Sequence, residues 1–135
     1  MRRLSQSVLC LAVAASLLSA ACRKQQRLDE TLTVSVSPGE TKPTQIDPPI
    51  ADQQVTVTAS SPGVPVSVYL VLEKDRKSVE DALFNSKRPE KALDGKDKVE
   101  QATLQGTVPA KNEFAVVIWN PGLKTAAVKL TISGR

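Results

Sequence analysis

The sequence predicts an all-β fold, an antiparallel β-sandwich carrying one short helix in a charged loop. Three observations predict it. At least five segments alternate apolar with polar residues, the mark of strands with one face on a core. Proline, glycine and serine punctuate those segments at short intervals, as turns between neighbouring strands require. A single stretch, between Glu73 and Glu100, breaks the alternation, and only there does helical spacing appear.

The elements follow in order. Residues 1–21 read as an export signal. Arg2 and Arg3 give a positive start, residues 8–18 a short apolar run, and Ser19-Ala20-Ala21 a small-residue stretch before Cys22. The run is too short, and the chain after it too polar, for a lasting transmembrane helix. Residues 22–52 are expected to form the tether. Residues 23–27 make a basic stalk beside the anchor cysteine. Leu32, Val34 and Val36 alternate with threonine and serine as a short strand, and Pro38, Pro43, Pro48 and Pro49 punctuate an extended spacer.

The compact domain is expected over residues 53–135. Val55, Val57 and Ala59 form the first inward face, stopped by Ser60-Ser61-Pro62-Gly63. Val66, Val68, Leu70 and Leu72 form the second. Ala102, Leu104, Gly106 and Val108 form a weaker one, and Phe114, Val116 and Ile118 a strong one. Ala126, Val128, Leu130 and Ile132 close the chain. Asn120-Pro121-Gly122 has the residues of a tight turn, which predicts a hairpin between the last two strands. Between Glu73 and Glu100 stand eight acids and eight bases. Residues 78–85 have helical spacing, with Ser78 as N-cap and Val79, Ala82 and Leu83 on one side. Residues 87–97 read as a solvated, mobile loop, since charges at that density are costly to bury.

Two resemblances add to this reading. Leu18-Ser19-Ala20-Ala21-Cys22 resembles the lipobox of bacterial lipoproteins, which implies Cys22 as the lipidated first residue of the mature chain. Ser19 stands where the usual pattern has leucine, so ordinary secretion with cleavage after Ala21 is the alternative. The chain has two cysteines, and Cys10 leaves with the signal, so the mature domain must hold together without an internal disulfide. The run from Val66 to Glu73, the charged loop, Glu113 to Asn120 and the closing Ala127 to Ile132 resemble the GOLD (Golgi dynamics) class and related jelly-roll sandwiches. GOLD-type lumenal domains often carry a cysteine pair, which this domain lacks. The resemblance implies a non-catalytic interaction module and transfers no ligand site.

Composition excludes more than it assigns. There is no histidine, so the commonest general base and metal ligand are both missing. Without Arg2 and Arg3, 16 basic residues face 14 acids, too even a balance for a nucleic-acid partner. Aromatic content is 3%, too little to build stacking platforms. Asp94-Gly95-Lys96-Asp97 lacks the alternating oxygens of a calcium loop and reads as a turn with solvated charges. Asp75, Glu80 and Asp81 belong to a charged surface. Serines are many, but no Gly-x-Ser-x-Gly elbow occurs, and Ser67 and Ser86-Lys87 read as ordinary strand and loop residues. No cofactor, metal or enzymatic activity is expected.

One feature exceeds a plain sandwich. Two strands are apolar on both faces, with Tyr69 and Val71 behind one, and Ala115, Val117 and Trp119 behind the other. If these strands are neighbours, Tyr69, Val71, Val117 and Trp119 form an outward apolar patch with the residue types of an interface. The competing reading is that the charged helix or the early strand covers that face. The expected function is a binding or structural module of the cell envelope, held to the cell membrane or outer membrane by lipid on Cys22, with an envelope protein as partner. The alternative is an accessory subunit of an envelope enzyme or secretion complex.

Overall fold

The computed structural model describes residues 28–135; the signal, Cys22 and the stalk lie outside the described residues. Eight strands and one helix follow in order: β1 (Leu28–Val36), β2 (Thr41–Ile46), β3 (Gln53–Ser60), β4 (Val66–Leu72), α1 (Glu73–Phe84), β5 (Asp94–Val99), β6 (Gln101–Val108), β7 (Phe114–Trp119) and β8 (Ala126–Gly134). They form two antiparallel four-stranded sheets, β1-β8-β3-β6 and β2-β7-β4-β5. The expected sandwich is therefore present.

The pairing explains the order. First pairs with last, second with seventh, third with sixth and fourth with fifth, as in one long hairpin of four strand pairs. Rolling that hairpin over its core brings β3 against β8 and β4 against β7. This is the jelly-roll arrangement. Alternating residues drive the roll. Val55, Val57, Leu104, Val128, Leu130 and Ile132 from one sheet meet Val66, Val68, Leu70, Phe114, Val116 and Ile118 from the other in a single buried core. Fully burying each such side chain is worth about 1.5–3 kcal/mol.

The structure corrects four expectations. The sandwich begins at Leu28 and not at Gln53: the short strand expected around Leu32 to Val36 belongs to a sheet as β1, and the segment read as a proline spacer holds β2. β1 pairs with β8 along its whole length, and β2 pairs with β7 from Thr41 to Ile46. Pro43 concealed β2. It is tolerated because β2 is an edge strand, where one side of the backbone has no ladder partner to lose.

The expected hairpin between the last two strands is absent, since β7 and β8 lie in different sheets. The Asn120 side chain organises the crossing. Its Nδ2 donates to Val36 O at 3.0 Å and Lys124 O at 2.7 Å, and its Oδ1 accepts from Gly122 N at 3.0 Å. The same turn chemistry serves a hairpin and an arch between sheets, so local residues do not distinguish them.

The helix starts at Glu73, five residues before the expected cap. Leu72 is the N-cap and supplies no side-chain bond, but Glu73 N donates to Glu113 O at 2.9 Å. Arg76 bridges Glu73 at 2.8 Å and Glu80 at 2.9 Å. The Glu73 bond, with Glu80 assisting, pushes the Arg76 guanidinium further up its already high range. At about a third exposed, the pairs stabilise the helix by only a few tenths of a kcal/mol each.

The stretch read as a mobile loop ends in a strand, since β5 takes in residues 94–97. β5 is a charged edge, and charge on an edge strand discourages pairing with other chains. At the β1–β2 turn, Ser37 N donates to the Glu40 carboxylate at 2.9 Å, and chiefly this bond lowers the Glu40 pKa below the usual carboxylate range.

Candidate functional site

All four turns that join an odd strand to the next even one lie at one end of the sandwich. Val36 and Ala126, Ser60 and Gln101, Val66 and Val99, and Thr41, Trp119 and Ser67 are level there. Leu28 and Gly134 are level at the opposite end, where the described chain begins. The nine residues of β1 separate the two ends by about 30 Å.

The residues expected as an outward patch do sit together. Tyr69 pairs directly with Val117, so β4 and β7 are neighbours as the patch required. The patch is nevertheless covered. Val79 and Leu83, one turn apart on α1, lie on Tyr69, Val71, Ala115 and Val117 as a second core outside the sheet. Tyr69 is 3% exposed and Val71 and Val117 are fully buried, so these three present no free surface. Only Trp119 is half-buried, at the rim of that core.

Trp119 forms one wall of a cleft of about 570 Å³ at the turn end. Leu83 and Pro121 add apolar walls. Lys87, Arg88 and Lys98 add cations, and Ser67, Ser86 and Asp97 complete the lining. The sequence separates these groups widely, and three local devices bring them together.

The first is the end of α1. Ser86 N donates to Leu83 O at 3.0 Å and Lys87 N to Ala82 O at 2.7 Å, the paired bonds of a Schellman stop. Ser86 takes a φ of 56° to make it, a conformation that favours glycine, and the chain turns Lys87 and Arg88 into the cleft. The second is a bulge in β5. The register shifts between Val66 and Val68, so Asp97 and Lys98 together face Ser67. Lys98 has a φ of 49°, and its N–H donates to the buried Ser67 hydroxyl oxygen at 3.2 Å. Ser67 is thus a partner for a donor the bulge frees from the ladder. The third is the Asn120 arch, which places Pro121 beside Trp119.

Electrostatically the cleft is basic. Lys87, Arg88 and Lys98 take part in no salt bridge among the described residues. Asp97 accepts a hydrogen bond from the Tyr69 hydroxyl. Arg88 also borders a second hollow, of about 480 Å³, floored by Tyr69 and Gly95 and walled by Pro89 and Glu90. No group of three His, Cys, Asp or Glu side chains able to hold a metal occurs among the described residues. What the cleft offers is free cations, an indole and hydroxyls, a set suited to holding an anionic group beside an apolar one. In the sequence Ser67 and Ser86-Lys87 read as ordinary strand and loop residues, and nothing marks Arg88 or Lys98 as part of a site. Their only local signals are a helix stop and a charged edge strand.

No family model matches this chain, and among curated proteins no match was found. Solved structures do match it. The periplasmic lysozyme inhibitor PliG of Aeromonas hydrophila, an inhibitor of g-type lysozyme, superposes with a TM-score of 0.59 at 13% identity, over 79% of this chain and 86% of that one. The likeness is one of fold. The pre-peptidase C-terminal domain of a Bacillus anthracis collagenase gives 0.56 at 10% identity, over 78% of this chain and 89% of that one. The Yersinia pseudotuberculosis-derived mitogen gives 0.53 at 8%, over 80% and 86%. These structures agree with the sandwich reached from the pairing.

Proposed function

We propose that this protein is a non-catalytic binding module of the cell envelope, exported by its N-terminal signal and held to a membrane by lipid on Cys22. One observation carries the reading: the cleft lies at the end of the sandwich opposite Leu28, so a chain tethered through its N-terminus presents the cleft away from its anchor. The lining supports binding over catalysis, because it joins cations and an indole without a histidine to serve as base. The fold shared with a periplasmic inhibitor fits an exported module. That inhibitor also favours a second reading, in which the chain is an accessory or regulatory subunit of an envelope enzyme.

Fatty-acid labelling and fractionation of the native envelope, with Cys22→Ala as control, test the anchor. The expected outcome is a labelled protein that sediments with membranes and a Cys22→Ala chain that does neither. An unlabelled, freely soluble wild-type chain would overturn the anchored reading in favour of ordinary secretion. Crosslinking in the same envelope separates the two roles: a single stoichiometric enzyme partner marks the accessory subunit.

A further inference from the structure

We infer that the turn end of the sandwich is an interaction surface for an acidic protein partner, one that presents carboxylates beside an apolar side chain. This names the partner of the binding module proposed above and rests on that reading.

Two independent features converge there. The first is charge. Residues 28–135 carry 13 basic and 14 acidic side chains, so the described domain as a whole is not basic. In the cleft the balance is different: three cations line it with one carboxylate, Asp97. Lys87, Arg88 and Lys98 are exposed and outside any salt bridge among the described residues. Asp97 is held by the Tyr69 hydroxyl, Glu100 by Gly63 N at 2.6 Å and Glu40 by Ser37 N at 2.9 Å, Glu90 borders the neighbouring hollow with Arg88, and none of the four forms a salt bridge with the three cations. A lining with this positive excess is complementary to added negative charge.

The second feature is exposed apolar surface. Three large apolar side chains are exposed among the described residues. Ile50 lies between β2 and β3, at the entry end. The other two belong to the elements that wall the cleft. Phe84, 85% exposed, ends the helix whose Leu83 lines it; Leu123, 95% exposed, follows Pro121 in the Asn120 arch. Neither belongs to the core, and both stand on elements that also supply the arginine-bearing and tryptophan-bearing walls of the cleft, the residue types enriched at interface centres. A lipid surface is the poorer occupant, because a tether on the N-terminal side directs this end away from its own membrane.

Trp119 is the only tryptophan and stands half-buried in the cleft, so its emission reports occupancy. Full-length protein is titrated with a short peptide of glutamates flanking leucine, with its glutamine counterpart, with inorganic phosphate and with phosphatidylglycerol vesicles. The expected result is a saturable shift with the glutamate peptide alone, weakened about tenfold by raising salt from low to physiological. Lys87→Glu with Arg88→Glu abolishes it. Phe84→Ser with Leu123→Ser weakens it several-fold at an unchanged unfolding midpoint. An equal response to the glutamine peptide, a response confined to phosphate or vesicles, or no response would each overturn the proposal. The charge-reversed chain is then crosslinked in the native envelope beside the wild type. Loss of the wild-type partner supports the surface. The same partner recovered equally by both overturns it and leaves the binding module standing.

Discussion

Gly95 shows how a single residue is dictated from outside its own segment. A Cβ built there would fall 2.2 Å from Tyr69 Cδ1 and 2.4 Å from Cε1. The ring is buried on the β5 backbone and its hydroxyl is bonded to Asp97, so it has nowhere to yield. Gly95→Ala is expected to lower stability by about 1–3 kcal/mol through overpacking, read as a fall in the urea midpoint at unchanged slope. In the sequence, Asp94-Gly95 reads as a turn. The glycine instead serves a close approach between a ring and a strand, and such a contact leaves no trace in neighbouring residues. Ser67 is similar: a serine in an apolar strand reads as incidental until the bulge opposite supplies the N–H its hydroxyl accepts.

At the scale of elements, α1 is the part whose removal the molecule would feel most sharply. Its charged face is legible as solvated surface, and Val79 with Leu83 is legible as its apolar side. What they cover is not. Leu83→Ala is expected to cost about 2–5 kcal/mol, because Leu83 is 1% exposed between Tyr69, Val71 and Val117. It should also shift Trp119 emission to longer wavelength as water reaches the rim of the second core. An unchanged spectrum and midpoint would mean that the helix is not what buries this face. The double-sided apolarity of β4 and β7 announced that something must lie on both faces. It could not say whether the cover was a helix of the same chain or another protein, since both bury the same area by the same effect.

For the whole molecule, the rolled pairing makes the N-terminal strands indispensable. β1 and β2 border β8 and β7, and Val34, Val36 and Ile46 belong to the core. A chain beginning at Gln53 is expected to show no cooperative urea transition, whereas one beginning at Leu28 should unfold in a single step. Cooperative folding of the shorter chain would restore the spacer reading of residues 37–49. The same topology sets the cleft and the N-terminal entry at opposite ends, since turns from odd to even strands collect at one end and chain entry lies at the other.

Legible in the sequence alone were the inward strand faces, the sandwich class, the helix in the charged stretch, and the second apolar face of β4 and β7. These follow from periodicity, which each segment carries within itself. Only the tertiary structure decided that β1 and β2 belong to the sheets, that β7 and β8 part into different ones, that α1 covers Tyr69, Val71 and Val117, and that Lys87, Arg88, Lys98 and Trp119 meet. The physical reason is common to all four. Edge strands tolerate proline and charge, one turn sequence serves two connections, and a buried face does not specify its cover. Each choice is settled by contacts between residues far apart in the chain, whose energies no local window contains.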